Sequence, residues 1–277
     1  VERSRGLGDV YKRQAISTKL PKDYYNFRKE IDFNNAQLTN YSPFVRYLTA
    51  MLNNVAYSEA DNTFNLEETA IENNIKKLNI ADTLFKNEKI KNSVLNNIAF
   101  MYLLEDQNMH NKKKFFDRYS QLSTDNSGHN EIKKIGDAIQ MLTEGKKLPD
   151  ADLINEKGEK IDLNSITDGK QTVLFFWTSN AKAHMVTVHK KVNELKKKHP
   201  NLHFVSINVD DSEQEWKQIL SQYAFENTTE LHSANFEALK DHWVITKIQR
   251  TILLQPNGMI KNAFVSLFDS DFEKNLK

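Results

Sequence analysis

Thr172–Lys191 reads TVLFFWTSNAKAHMVTVHKK. Val173 to Trp177 is an unbroken apolar run, the pattern of a strand covered on both faces. Thr178, Ser179 and Asn180 are turn and cap residues. After Ala181, apolar side chains recur at Met185, Val188, Val192 and Leu195, the spacing of a helix with one buried face. The expected local structure is a strand, a tight turn, and a helix opening close to that turn.

FFWTSNAKAH resembles the strand-turn-helix of the thioredoxin superfamily in its TlpA-like, redoxin (AhpC/TSA-type) branch, where the strand ends in F-W-A-T/S-W-C-P-P-C. Trp177, Thr178 and Ser179 fall on W-A-T/S, and Asn180 on the second W. Ala181 and His184 then occupy the two positions of the redox cysteines. The chain contains no cysteine at all. The same stretch therefore argues for the fold and against its usual chemistry.

The 277 residues suffice for two domains, and 39% hydrophobic with 10% aromatic residues suffices for cores. Lys and Arg number 38 against 37 Asp and Glu, which offers no general attraction to nucleic acid or anionic membrane. The missing cysteines exclude disulfides, thiolate catalysis and Cys-ligated metal sites. Ser4–Gln14, SRGLGDVYKRQ, reads as a translated transposase-type sequencing adapter and is set aside as non-native. On that reading the native start is missing, and with it any signal peptide or membrane tether.

Residues 15–144 read as a helical domain. They are poor in Gly, and Pro21 and Pro43 are the only prolines before Pro149. Candidate helices are Lys22–Phe33, Pro43–Ala56, Glu67–Leu78, Asp82–Leu104, Asn111–Leu122 and Asn130–Leu142. Ser42-Pro43 is a start signal, Asn65-x-x-Glu68 a weaker one, and Asp125-Asn126-Ser127-Gly128 reads as a loop. Helical segments of this kind also precede the thioredoxin domain in TlpA-like proteins of Bacteroidetes.

Residues 145–277 read as an α/β domain, and the resemblance covers this half. Gly145–Ile166 resembles the family's entry segment, with a hairpin turn at Asn155–Gly158. Asp168-Gly169-Lys170 matches the G-K before the central strand. Lys196–Lys198 and Pro200 end the helix, and Leu202–Asp210 is the next strand. Glu213–Phe225 and Phe236–Trp243 follow as helices. Thr251–Leu254 and Met259–Val265 pair around the Gln255–Gly258 turn, and Asp269–Lys277 begins a last helix. The order is that of a thioredoxin-like mixed sheet flanked by helices.

Thiol–disulfide exchange needs a thiolate nucleophile and a second, resolving thiol. Ala181 and His184 supply neither. Counting back from Asn257-Gly258, the position of the family's cis-proline is Gln249, where a trans peptide is expected because a cis bond before a non-proline residue costs roughly 2.5–4 kcal/mol. His184 and His189, five apart, do not share a helix face as metal ligands would. His184 is expected half exposed at a helix start. His199, His203, His232 and His242 read as surface or edge positions, Asp210-Asp211 as helix-capping acids, and Lys196–Lys198 as a solvated face. No cofactor or metal is expected, and no nucleic-acid partner.

The resemblance implies three functions. The first is a catalytically inactive thioredoxin-like protein of the periplasm or cell envelope that binds a protein or extended peptide. Trp177, Ala181, Lys182, Gln249 and Arg250 would line its groove. The second is a TlpA-like thiol–disulfide oxidoreductase by family membership. The third is a structural spacer whose helical half is the interacting part.

Overall fold

The computed structural model describes residues 23–38, 41–58, 66–105, 109–167, 169–223 and 225–276. Expectations on residues 1–22, Asn65, Asp168 and Lys277 lie outside them. The chain divides into two compact units, Val1–Gly136 and Asp137–Lys277. The division falls inside the last helix of the helical half rather than at Gly145.

The first unit is helical, with α1 Ser42–Ser58, α2 Leu66–Leu84, α3 Glu88–Glu105, α4 Met109–Leu122 and α5 Asn126–Met141. Pro43 sits in the first turn of α1, where its missing N–H costs nothing. Leu48, Leu52, Leu78, Val94 and Phe115 are fully buried in this unit.

Three boundaries differ from the expectation. Residues 26–30 form only a 3-10 turn with no buried side chain, so no apolar face holds a helix there. The break between α2 and α3 comes at Phe85–Asn87 because Asn87 caps α3, its Oδ1 accepting from Lys89 N at 3.1 Å and Ile90 N at 3.2 Å. Asp125–Gly128 is not a loop but the start of α5. His129 N donates to Asp125 O at 2.9 Å, and the Asp125 carboxylate, bound by the Gly128 N–H and the Asn96 amide, is held below its usual pKa.

The second unit is a six-stranded mixed sheet in the order β1-β4-β3-β2-β5-β6. The strands are β1 Leu153–Ile154, β2 Thr172–Trp177, β3 His203–Asn208, β4 Thr229–Ser233, β5 Arg250–Leu254 and β6 Ile260–Ser266. The helices are α6 Leu163–Ile166, α7 Lys182–Lys198, α8 Glu213–Gln222 and α9 Phe236–Trp243. β2 runs parallel to β3 and antiparallel to β5, and all six of its residues are buried. Its alternation sends Val173, Phe175 and Trp177 into a core with Met185, Val188 and Leu195 of α7. Phe176 lies instead against Trp243 of α9, their ring centroids 6.2 Å apart.

The entry hairpin is mostly turn. Ile154 bridges Lys160, but β1 pairs with β4. β4, TELHS, was not expected as a strand, because its residues lack an apolar pattern. The last helix shrinks to a 3-10 turn at Phe272–Lys274. No described helix is long and apolar enough to cross a membrane.

Candidate functional site

The site positions follow from β2, which delivers the chain to the carboxyl edge of the sheet at Trp177. There Thr178 caps a 3-10 turn, Ser179–Ala181, by accepting from Asn180 N at 3.3 Å. Asp211, just past β3, reaches across to the same turn. Its carboxylate accepts from Ser179 N at 2.8 Å, Ser179 Oγ at 2.6 Å, Thr178 Oγ1 at 3.1 Å and Asn208 Nδ2 at 2.6 Å. Asp210 precedes it at φ 63°, a left-handed conformation that Asp tolerates better than most side chains. Asp211 is therefore not a helix cap. That role falls to Ser212, which forms a capping box with Glu215 at the start of α8.

The polar chain continues inward. Asn208 Oδ1 accepts from His232 Nδ1 at 3.0 Å, and the His232 ring stacks on Trp216 at 5.2 Å. His232 was expected at the surface but is buried, because β4 is an inner strand between β1 and β3. Burial holds its pKa below the ordinary 6.5, against the opposing pull of Glu213 and Asp211. His199, by contrast, pairs with Glu273 at 3.2 Å, and His242 is exposed. His203 is half-buried beside Thr229 Oγ1.

At the two positions that the resemblance equates with the redox cysteines, Ala181 is half-buried and offers no side-chain cap to α7. His184 is half-buried, and its Nε2–H donates to the Phe176 carbonyl at 3.0 Å. Its ring also lies edge-on to Phe268, centroids 6.0 Å apart. Burial lowers its pKa below 6.5, while backbone hydrogen bonds to Phe176 and Ile248 oppose the shift. The contact to Ile248 brings the loop before β5 beside the start of α7. Gln249 is exposed in that loop, and the described residues contain no cis peptide. The structure thus gathers Ala181, Lys182, His184 and Gln249 at one edge. It adds Phe268, 42% exposed, for which the sequence carried no signal.

Two expected groove residues are not at the surface. Trp177 is fully buried, its indole N–H donating to Ser206 Oγ at 2.6 Å. The alternation of β2 points it into the core with Val173 and Phe175. Arg250 is 8% exposed, and Nε donates to Ala263 O at 2.7 Å and Nη1 to Val244 O. Its guanidinium lies 4.1 Å from the centroid of the Phe264 ring. Burial pulls its pKa down to about 9. Arg250 is thus a structural clamp between β6 and the end of α9.

Among the described residues no three His, Asp or Glu side chains converge in a way that could hold a metal ion. The edge supplies one imidazole whose Nε2–H is engaged by a carbonyl, one exposed ammonium on Lys182, one exposed amide on Gln249 and an exposed aromatic face. Such a set can form hydrogen bonds and apolar contacts. It holds no nucleophilic sulfur.

Residues 169–260 match a family model described as thioredoxin-like. A search of curated proteins finds no match. A solved thioredoxin-like protein from Bacteroides caccae is 13% identical over 92% of this chain and 90% of its own, with a TM-score of 0.56. That likeness is one of fold, and it spans the helical unit as well. The thioredoxin domain of a thiol-disulfide oxidoreductase from Bacteroides vulgatus is 21% identical over 49% of this chain and 99% of its own, at a TM-score of 0.37. The C-terminal unit of this chain is a thioredoxin-like domain, preceded by a helical region and built without a cysteine.

Proposed function

We propose that this chain is a thioredoxin-like protein of the bacterial envelope that does not exchange disulfides and works by non-covalent recognition of a protein or extended peptide. The observation that carries the reading is His184. Its ring stands at the second redox position, tied to Phe176 O, beside the exposed ring of Phe268. Asp211 holds the adjacent turn rigid through donors on two residues. A rigid edge with an aromatic face, one ammonium and one amide supports binding, and it lacks the thiolate that disulfide exchange requires. Ala181, Lys182, Gln249 and Phe268 would contact the partner, whereas Trp177 and Arg250 would support the surface from below.

A quantitative pull-down from a Bacteroides envelope extract tests this, with the wild-type chain against Lys182→Glu/Gln249→Glu. A partner retained by the wild type and lost by the variant is the expected result. An unchanged partner list would move the working surface to the helical unit. Reduction of insulin disulfides by the purified chain would overturn the non-catalytic reading.

A further inference from the structure

We infer that the thioredoxin-like unit carries a second binding site, for a small organic cation of the alkylammonium type, in a cavity of about 350 Å³ beside β4. Its lining includes Glu156, Lys217, Leu220, Tyr223, Phe225 and Glu230. None of these belongs to the edge around His184.

Glu230 is the anchor. It lies in the interior of β4, in parallel register with Ser206, and its side chain is 4% exposed. A carboxylate at such a position is costly unless its oxygens are matched by donors. Only one oxygen is matched. Oε1 accepts from Thr228 Oγ1 at 2.5 Å. The neighbouring His189 Nε2 stands 3.7 Å from Oε1, beyond hydrogen-bond length. Oε2 has no partner. His189 is committed elsewhere, Nδ1 donating to Met185 O at 2.8 Å and the ring stacked on Phe225 at 3.6 Å. A ligand N–H that displaced the groups now covering the buried Oε2 would supply the donor that the protein withholds.

The other walls fit the rest of such a ligand. Tyr223 and Phe225 lie nearly parallel, 14° apart with centroids at 5.7 Å, and Leu220 adds an aliphatic surface. Phe225 is already stacked on His189, so Tyr223 and Leu220 are the walls left to pack the alkyl stem. The charges of the lining are two carboxylates, Glu156 and Glu230, and one ammonium, Lys217. That ammonium is drawn away by Glu213 at 2.7 Å, so the cavity favours a cation. The rival occupant is Lys217 Nζ itself.

The test is an NMR titration of the full chain with n-butylammonium chloride, with 1-butanol as the neutral comparator of the same length. The expected result is saturable shifts of the Tyr223 and Phe225 amides with butylammonium only. Glu230→Gln should weaken that binding about tenfold or more, and Lys217→Met should leave it equal or tighter. Silence of the wild type, equal binding of 1-butanol, or unchanged affinity in Glu230→Gln would each overturn the proposal. Binding seen only in Lys217→Met would also overturn it, by making Lys217 the resident cation. Should Glu230→Gln fail to fold, the charged-against-neutral comparison on the wild type decides the matter alone.

Discussion

The Asp211 carboxylate collects an amide N–H and two hydroxyls from the turn after β2, and the Asn208 amide from the end of β3. Removing it leaves those donors to compete for water in a half-buried place, at about 1–3 kcal/mol. Asp211→Ala is therefore expected to lower the unfolding free energy by about that much in urea titrations and to speed hydrogen exchange at Ser179. Two imidazoles with lowered pKa values set a pH dependence. His184 and His232 have folded pKa values below 6.5, chiefly through burial. The unfolded chain then binds their protons more readily, so stability is complete above 6.5 and declines as the pH falls below it. Urea midpoints should drop on acidification through that window, and a His232→Phe variant should show a shallower drop. Gly128 gives a third case. A Cβ there would collide with the side chains of Asn96 and Asp125, which themselves pin α3 to the start of α5. Gly128→Ala should push those side-chain ends aside and, with alanine's better helix propensity offsetting part of the loss, cost no more than about 1 kcal/mol, measured by the same titration.

At the scale of elements, what the sequence made legible depended on whether apolar residues carried the message. β2 and α7 were readable because their apolar spacing is strong and uninterrupted, and so was the thioredoxin order of the unit they organise. β4 was not, because Leu231 is its only apolar residue, and Glu230 and His232 are buried beside Thr228, Asn208 and Trp216 rather than within an apolar run. The helical half shows the same limit. Its Asn-rich composition reads as bland, yet the amides act as pins. Asn96 accepts from Tyr119 Oη at 2.6 Å and donates to Asp125, and Asn92 accepts from Ser123 Oγ and Thr124 N. Periodicity cannot distinguish such an Asn from a solvated one, and it placed the α2–α3 break too early for the same reason. Asn87→Ala should cost about 0.5–2 kcal/mol, as loss of an N-cap does, with reduced helicity in circular dichroism as the accompanying sign. At the candidate site, the positions of Ala181, His184 and Gln249 were legible from motif spacing. Trp177 belongs to the apolar run read as covered on both faces, and only the resemblance put it in the groove. The burial of Arg250 was not legible, because which way a strand-end side chain points depends on the partner strands.

Over the whole molecule the chromophores are unevenly shared. All three tryptophans, Trp177, Trp216 and Trp243, lie in the second unit and are fully buried there. Long helices dominate the first unit. Tryptophan fluorescence therefore reports on the thioredoxin-like unit alone, while far-ultraviolet circular dichroism is weighted to the helical unit. Each unit has its own buried core, so the two probes are expected to give separate urea midpoints rather than one coincident transition. Coincident midpoints from the two probes would show that the units unfold as one.

His184 also bears on how the chain can change over generations. The imidazole at the position that the resemblance equates with the second cysteine ties the start of α7 to Phe176 O and packs against Phe268. Cysteine in its place would remove that tie and, with Ala181 unchanged, find no second thiol to react with. Cysteine at Ala181 alone would face an imidazole that cannot resolve a mixed disulfide. Either single cysteine can form a mixed disulfide with a disulfide-bearing partner but has no second thiol in the chain to resolve it, and the one at His184 also loosens the fold. On the proposed reading the edge is open to new binding specificities, whereas a complete dithiol cycle would need both substitutions together.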